Sequence, residues 1–489
     1  MHAHGRTSLN RQRVSTGDEG LDSLIEGGFP RGSLILLAGN PGTGKTVLGT
    51  QFLYKGAVEH QEKGIYVSFA ESRRKLLDNM SRHLEADLEE LDREGKIRVL
   101  DFATMREEGI STVLEMILEE TRSLEAKRLV VDSLTALAQA FKEPIDVRII
   151  LHTILSKIVE KMECTTLLIV EVPTGQEGLG LGIEEFVADG VLVLRKRFSP
   201  KMEGRPVREL EVSKMRGTEI QQPLNPFTLK GGFRVFPPFK LEPIKEKRRF
   251  QAISDTETHF STGSRDLDQV FGGGYPRGSL ALYEIDENLS QLEWELILCP
   301  TMANFMTQGR GGTILPAGGI DADLAAKAMM DLYGFTQEEV DSLLRVQEPG
   351  TATGPDRPYR LLLEGEDADE DIAKLMDSVR EIKDRTGSPA IYYISFDTAE
   401  TLWGEEAVKK IGRLSAIRVK KEGDIVIKLT NPGLVSINQK FMGLADLHIR
   451  LVKEHGAILL YGEKPRTCLY AVEMDVSKGY PLPRITPII

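Results

Sequence analysis

The segment with the clearest chemical meaning is a loop rich in glycine. It reads Gly39-Asn40-Pro41-Gly42-Thr43-Gly44-Lys45-Thr46, after the strand-like run 33–38 and before the helix-like run 47–58. Glycines let successive backbone amides turn toward phosphate oxygens, and the helix adds the positive end of its dipole. In such loops the lysine reaches the β- and γ-phosphates and the threonine hydroxyl ligates Mg²⁺. We therefore predict a nucleoside triphosphate site with contacts from Gly39, Asn40, Pro41, Gly42, Thr43, Gly44, Lys45, Thr46 and Val47.

A second ligand for the metal is predicted at the end of another strand. The apolar run 128–131 ends in Asp132, whose carboxylate suits Mg²⁺ coordination through water. Many strands end in aspartate at an ordinary turn, so this position alone is weak evidence. Its place downstream of a phosphate loop favours the metal role. The next residue is Ser133 and not a glutamate, so the base that activates water must come from elsewhere.

Glu71 is the best candidate for that base. It follows the strand-like run 64–69, where a carboxylate could orient or deprotonate an attacking water. The alternative is a surface glutamate that caps the following helix.

Two cations on a later strand could stabilise the charge of a phosphoryl group. Lys214 and Arg216 are two residues apart, so strand alternation puts both side chains on one face. A cationic finger of this kind can be supplied to the γ-phosphate by another subunit. The alternative is a solvated strand face.

The elements that position these residues belong to a repeated pattern. Residues 15–33 read STGDEGLDSLIEGGFPRGS and residues 261–279 read STGSRDLDQVFGGGYPRGS, with eleven of nineteen positions identical at an offset of 246. An unbroken match of this length indicates two copies of one domain. We predict a tail over 1–14, a first domain over 15–240, a linker over 241–258 and a second domain over 259–489.

Strand-like and helix-like segments alternate within the first copy. Six apolar runs, at 34–38, 64–69, 97–102, 128–132, 166–170 and 191–194, are separated by amphipathic stretches. This alternation predicts an α/β fold with a mainly parallel, doubly wound sheet. Ligands of such sheets lie at the carboxyl ends of the strands, where the glycine-rich loop falls.

Composition excludes several classes of protein. Apolar residues make up 41% and charged residues 28% of the chain, and the net charge is −12. The three cysteines have no Cys-x-x-Cys spacing, which argues against a zinc site or a disulfide framework. No apolar run has signal-peptide or membrane-spanning length. We therefore expect a cytoplasmic protein without a membrane partner.

The motifs resemble those of the KaiC branch of the RecA-type ATPases, in its double-domain form. The matching segments lie within residues 15–218 and are STGDEGLDSLIEGGFPRGS, GNPGTGKT, YVSFAES, LVVDSLTAL, EEFVADGVLVL and KMRGT. The resemblance implies two tandem RecA-like domains and ATP bound with Mg²⁺ at the subunit interfaces of a ring, often a hexamer. Lys214 and Arg216 match the pair that reaches the neighbour's γ-phosphate. Glu71 matches the second of two adjacent glutamates, and Ala70 replaces the first, which leaves the hydrolysis rate open.

The second copy departs from this pattern at the phosphate loop. At the fixed offset, Ile285, Ser290, Gln291 and Leu292 replace the loop's first and last glycines, its lysine and its threonine. A loop without glycines cannot curl around phosphate, so the second loop is degenerate. We assign Asp397 to the metal-aspartate position and, allowing gaps, align residues 472–475 with the finger. Glu473 and Asp475 would then repel phosphate, which predicts a pseudo-ATPase that serves assembly or partner binding.

Three functions remain open at this point. The favoured one is a slowly hydrolysing regulatory ATPase in which Glu71, Lys45, Lys214 and Arg216 act in catalysis, with self-assembly and an unknown protein partner. A DNA-repair ATPase is the second, because the basic stretch 195–208 could bind nucleic acid, although a solvated hairpin is the commoner meaning. The third is a nucleotide-gated binding protein without catalysis, as the looser likeness to archaeal gas-vesicle regulators suggests.

Overall fold

The computed structural model describes residues 12–102, 110–139, 158–173, 187–318, 320–350, 356–387 and 389–489. These residues form two units. The first comprises Met1–Pro238 with His455–Ala457 and Pro487–Ile489, and the second comprises Phe239–Glu454 with Ile458–Thr486. The predicted tail before residue 12, and residues 184–186 of the EEFVADG motif, lie outside the described residues. The domain boundaries drawn from the sequence stay predictions.

The first unit is built around one large sheet. Its strands are β1 (Arg13–Val14), β2 (Phe29–Pro30), β3 (Leu34–Gly39), β4 (Gly64–Ser68), β5 (Ile97–Asp101), β6 (Arg128–Asp132), β7 (Thr165–Glu171), β8 (Gly190–Ser199), β9 (Arg205–Met215), β10 (Leu224–Thr228) and β11 (Arg234–Val235). In the sheet they follow the order β11-β10-β9-β8-β3-β7-β6-β4-β5, while β1 and β2 pair separately. Strands β3 to β8 pair in parallel, and β9 to β11 extend the sheet antiparallel.

The helices of the first unit lie between these strands. They are α1 (Glu19–Leu24), α2 (Lys45–Glu59), α3 (Arg73–Leu84), α4 (Leu88–Arg93), α5 (Ile110–Leu124) and α6 (Leu134–Gln139). Helix α2 begins directly after Gly44 and buries much of its length against the sheet. It is therefore the helix whose amino end faces the glycine-rich loop.

The second unit repeats this plan. Its strands are β12 (His259–Phe260), β13 (Tyr275–Pro276), β14 (Ser279–Ile285), β15 (Gly312–Leu315), β16 (Leu344–Pro349), β17 (Arg360–Leu363), β18 (Ile391–Ser395), β19 (Ile425–Thr430), β20 (Leu447–Glu454), β21 (Ala457–Lys464), β22 (Tyr470–Asp475) and β23 (Leu482–Pro487). The large sheet has the order β17-β16-β15-β18-β19-β14-β20-β21-β22-β23. Read in the opposite direction, this is the order of the first sheet with one added strand, β17, at the edge beside β16.

The helices of the second unit are α7 (Arg265–Val270), α8 (Gln291–Thr307), α9 (Ala322–Tyr333), α10 (Gln337–Leu343), α11 (Ala368–Thr386), α12 (Phe396–Glu422) and α13 (Val435–Met442). Helix α12 is interrupted at Gly404, where φ is +79°. Among the described residues, no helix is both long and apolar enough to cross a bilayer.

Both faces of each central strand are buried, which explains their uninterrupted apolar sequences. In β3, Ile35 and Leu37 belong to one core cluster, and Leu34 and Leu36 belong to the cluster on the other face. Residues 280–283 of β14 alternate in the same way between two clusters. The predicted α/β fold with mainly parallel sheets is therefore confirmed in both units.

Candidate functional site

The glycine-rich loop follows the last residue of β3 and leads into α2. Gly42 and Gly44 have φ values of +75° and +106°, which residues with a β-carbon rarely adopt. A β-carbon on Gly44 would also come within 2.7 Å of the Leu229 Cδ2 atom. The Asn40 side chain donates to the Val172 carbonyl at 3.0 Å and fixes the loop to the segment after β7. The loop therefore has the curved backbone that a phosphate cradle requires.

Lys45 lies on the inner side of this loop. Its Nζ atom donates to the Gly39 and Asn40 carbonyls at 2.8 and 2.9 Å, and the residue is 6% exposed. Burial lowers the pKa of Lys45, and the carboxylates of Glu171 and Asp132 counter that effect. The lysine is thus held where its charge is poorly solvated, which favours an anion beside it.

The two predicted metal ligands are brought together from separate elements. The Thr46 hydroxyl, in the first turn of α2, donates to Asp132 Oδ2 at 2.9 Å. Asp132 is the last residue of β6, two strands away from β3 in the sheet. A hydroxyl and a carboxylate are oxygen donors of the kind that Mg²⁺ prefers. These residues therefore fit the ion that the loop implies.

Tyr66 is a site residue that the sequence did not reveal. Its hydroxyl donates to the same Asp132 Oδ2 atom at 2.5 Å from the neighbouring strand β4. Burial and the charge of Asp132 raise the pKa of Tyr66, so the hydroxyl keeps its proton and acts as a donor. The available signal in the sequence was a polar aromatic residue within an otherwise apolar strand.

Glu71 lies in the turn after β4, at the same edge of the sheet as the loop. The Ser68 hydroxyl closes this turn by accepting from the Glu71 amide at 3.1 Å and donating to its carbonyl at 2.7 Å. The side chain is exposed, and its charge contributes to the raised pKa of Tyr66. The amino-terminal cap of α3 is Ser72 and not Glu71.

Lys214 and Arg216 lie at the opposite edge of the sheet. Lys214 Nζ donates to the Ala188 carbonyl at 2.7 Å, and Arg216 pairs with Asp189 at 3.1 Å. Asp189 in turn accepts from the amide of Leu34, the first residue of β3. The glycine-rich loop follows the last residue of that six-residue strand, so about 17 Å separates the two edges. Within one chain the structure does not bring these cations to the loop.

The basic stretch 195–208 is largely neutralised within its own hairpin. Arg195 pairs with Glu211, and Arg197 forms two hydrogen bonds of 2.6 and 2.5 Å with Glu209. Arg208 donates instead to the carbonyl of Gly42 at 3.2 Å. These contacts favour a structural hairpin over a nucleic-acid surface.

In the second unit, residues of the degenerate loop cap the amino end of the helix that follows it. Helix α8 starts at Gln291 after the Ser290 cap, at the positions that the fixed offset predicts. The Glu293 carboxylate accepts from the Ser290 amide at 2.7 Å and pairs with Lys453 at 2.7 and 3.0 Å. A carboxylate of the chain itself therefore lies at the amino end of α8, whereas α2 has no side-chain cap at Gly44.

Two sequence assignments in the second unit are wrong. Arg128 and Ile391 begin equivalent strands, because each pairs with the first residue of the next strand in its sheet. This register makes Ser395 the counterpart of Asp132, and places Asp397 two residues later in the first turn of α12. The assignment failed because the strand ends at Ser395, two residues before the aspartate, and the sequence alone does not mark that end.

The finger alignment is also corrected by strand pairing. Residues 472–475 belong to β22, which corresponds to β10 and not to β9. The counterpart of Lys214 is Lys464, whose Nζ atom donates to the Ala445 carbonyl as Lys214 donates to Ala188. Arg466 repeats the Lys-x-Arg spacing. The shorter hairpin of β20 and β21 shifted this motif out of the sequence alignment.

Comparisons with known proteins agree with the two-unit structure. The KaiC ATPase family model matches residues 14–238, and the model for GvpD basic region 2 matches residues 249–489. Protein GvpD2 of Halobacterium salinarum is 29% identical over 62% of this chain and 63% of its own length. Protein GvpD1 of the same organism is 24% identical over 94% of both chains.

Further similarities cover about half of the chain. The circadian clock oscillator protein KaiC of Thermostichus vulcanus is 31% identical over 57% of this chain. The matched part covers 52% of that protein. A crystal structure of the KaiC-like protein PH0186 from Pyrococcus horikoshii is 37% identical and covers 46% of this chain, with a TM-score of 0.42. Since a KaiC ATPase domain is followed by a GvpD region, the chain belongs to the KaiC-like branch of the RecA-type ATPases, near the GvpD proteins.

Proposed function

We propose that this chain is a regulatory ATPase whose first unit binds ATP with Mg²⁺ and hydrolyses it slowly. The observation that carries the proposal is the contact between Thr46 and Asp132 beside a glycine loop of the required curvature. Mg²⁺ held by these two residues would neutralise charge on the β- and γ-phosphates. Lys45 supplies a further positive charge from inside the loop.

Glu71 is the base in this proposal. Its carboxylate lies at the carboxyl edge of the sheet, near enough to Tyr66 for its charge to act on that hydroxyl. From there it can orient a water molecule and accept its proton. Ala70 stands where the family usually has the first of its two adjacent glutamates, which is the reason for expecting slow turnover.

Lys214 and Arg216 serve the nucleotide of a neighbouring subunit. Their position at the far edge of the sheet supports this role, because their own loop is about 17 Å away. Subunits that exchange such a finger must associate head to tail, which favours a ring. The second unit contributes assembly or partner binding, since its helix α8 is closed by Glu293.

A nucleotide-gated switch without catalysis is the second candidate. The substitution at Ala70 favours it, because one of the two family carboxylates near the attacking water is missing. This candidate is favoured if the assembled protein binds ATP tightly but hydrolyses it no faster than the uncatalysed background rate.

The test compares three variants with wild type by fluorescent ATP binding and phosphate release. Lys45→Ala is expected to abolish binding, whereas Lys55→Ala on the same helix should leave it unchanged. Glu71→Gln should bind ATP but hydrolyse it at least tenfold more slowly, about 1.4 kcal/mol in the barrier. Arg216→Ala should bind ATP and hydrolyse it poorly.

Mixing two inactive variants tests the action between subunits. Lys45→Ala subunits retain the cationic finger, and Arg216→Ala subunits retain the nucleotide-binding loop. A mixed assembly would therefore contain interfaces with both parts and should recover hydrolysis. If Arg216→Ala turns over like wild type, the finger assignment fails. If the mixture stays inactive, the cations do not act in trans.

A further inference from the structure

An apolar pocket opens in the second unit between helices α8 and α9. Tyr393 of β18 and Leu429 of β19 belong to its lining, together with side chains of the two helices and of the end of β15. The cavity has a volume of about 60 Å³. A water-sized group needs about 10–15 Å³ of such a volume, so a ligand of about four to six heavy atoms fits.

The first unit packs tightly at the corresponding place. At the fixed offset of 246, Glu295 and Cys299 of α8 correspond to Gly49 and Leu53 of α2. A β-carbon on Gly49 would come within 3.0 Å of the Val130 Cγ1 atom, and Leu53 is fully buried. A glutamate in place of Gly49 does not fit this spacing. The pocket therefore lies where the residue types of the two units require different packing of helix on sheet.

Glu295 gives the pocket its charge. Among the described residues of the lining, no other is charged. The Glu295 carboxylate accepts from the Gln291 side chain at 2.8 Å, and no cation in the described part of the chain pairs with it. Burial raises the pKa of Glu295. A carboxylate can accept from more than one donor, and a positive charge beside Glu295 would offset the cost of burying it.

The walls of the pocket suit an alkyl group. Trp294, Met302 and Met329 contribute apolar surface, and methionine side chains adapt to the shape of what they contact. Burial raises the pKa of the Cys299 thiol, and the charge of Glu295 raises it further, so this thiol keeps its proton. An anionic ligand would be repelled by the Glu295 carboxylate. Apolar walls beside one carboxylate therefore match a ligand with an apolar chain and a cationic head.

We propose that this pocket binds a small aliphatic amine, with the ammonium group beside Glu295 and the alkyl chain against Trp294, Met302 and Met329. This binding goes beyond the proposed ATPase function, because it depends on no residue of the first unit. It would give the second unit a ligand of its own.

Titration of the full chain with n-butylamine, in the absence of nucleotide, is the test. Tryptophan fluorescence reports on binding, because Trp294 lines the pocket and the chain's other tryptophan, Trp403, belongs to α12. The change in fluorescence should saturate, Trp403→Phe should keep it and Trp294→Phe should remove it. Wild type should bind butylamine about tenfold more tightly than butan-1-ol, because the alcohol brings no charge to the carboxylate.

Three variants separate recognition of the charge from burial of the alkyl chain. Glu295→Gln should bind butylamine about tenfold more weakly and butan-1-ol like wild type, because it keeps the shape and removes the charge. Glu338→Gln, at an exposed glutamate of α10, is the matched control and should bind both compounds like wild type. Ala328→Leu, which fills the pocket from α9, should bind neither compound while its circular dichroism spectrum stays that of wild type.

The proposal fails if butylamine gives no saturable change in fluorescence. It also fails if wild type binds the amine and the alcohol equally well, or if Glu295→Gln keeps the preference for the amine, since the pocket would then not recognise the ammonium group. Because the assay contains no nucleotide, neither result depends on the proposed ATPase function.

Discussion

At the scale of single residues, one oxygen atom organises the candidate metal site. Asp132 Oδ2 accepts from Thr46 at 2.9 Å and from Tyr66 at 2.5 Å. Tyr66 is held in a buried strand, so its donor is fixed in position before any ligand arrives. Hydrogen bonds of this kind orient the carboxylate that serves a metal.

Removal of this hydroxyl should weaken Mg²⁺ binding more than ATP binding. Tyr66→Phe keeps the aromatic packing and deletes the donor, so the Mg²⁺ concentration needed for half-maximal binding of fluorescent ATP should rise about tenfold or more. The control is Tyr54→Phe on α2. An unchanged Mg²⁺ midpoint would show that Asp132 is oriented without Tyr66.

A buried lysine in the second unit is a residue-scale feature of stability. Lys428 is fully buried, donates to the Gly412 carbonyl at 2.7 Å and lies 4.4 Å from the centre of the Phe441 ring. Burial lowers its pKa well below the usual 10.5. The unfolded chain therefore binds this proton more readily than the folded chain does. The resulting cost is present at neutral pH and disappears as the pH rises toward 10.5.

Lys428→Met should therefore stabilise the second unit. We expect the free energy of unfolding to rise by about 1–3 kcal/mol at pH 7, with a smaller gain at pH 10. Urea titration followed by tryptophan fluorescence reports on this unit, since Trp294 and Trp403 are the chain's two tryptophans. The exposed Lys410→Met serves as control. A gain of equal size at both pH values would attribute the effect to packing and not to charge.

At the scale of elements, the junctions between strand and helix distinguish the two units. Helix α2 follows a glycine loop and has no side-chain cap, whereas α8 starts with a capping box between Ser290 and Glu293. Helix amino ends bind anions when their amides are available. The difference lies in a few side chains at one turn of otherwise equivalent elements.

Hydrogen exchange should detect this difference directly. Mg-ATP is expected to slow amide exchange in residues 39–50 and to leave residues 285–296 unchanged, because the capping box of Ser290 and Glu293 already closes the amino end of α8. Lys45→Ala should abolish the protection of the first segment. Protection of residues 285–296 in wild type would contradict the assignment of a closed helix end.

The sequence predicts the strands of the first unit well for a physical reason. The inner parts of parallel strands buried on both faces, such as 34–38 and 129–131, must be continuously apolar. The phosphate loop can also be recognised in the sequence, because its backbone conformation requires glycines. Contacts between side chains distant in sequence, such as Tyr66 with Asp132, depend on strand order and leave no local pattern.

The errors in the second unit lie beyond the stretch that a fixed offset aligns. A fixed offset holds through Ser290 and Gln291, where both copies have loops of equal length. It fails at Ser395 and Lys464, because the intervening helices and the hairpin of β20 and β21 differ in length from those of the first unit. The hydrogen-bond register of the strands identifies the equivalent residues of the two units, which a count of residues at a fixed offset does not.

At the scale of the whole molecule, the two units share one strand order and differ at the carboxyl end of the sheet. In the first unit, the proposed site would bind a triphosphate at that end. In the second unit, Ser290 and Glu293 form a capping box there. On the proposed function, only the first unit would therefore respond directly to nucleotide.

The capped end of helix α8 has a consequence for redesign of the chain. Replacement of Gln291 by lysine, or of Leu292 by threonine, would still leave the Glu293 carboxylate anchored by Lys453 at that end. Several simultaneous changes, including new glycines, would be needed to give this turn the form of residues 39–46. Engineering a nucleotide site in the second unit would therefore require rebuilding the whole turn.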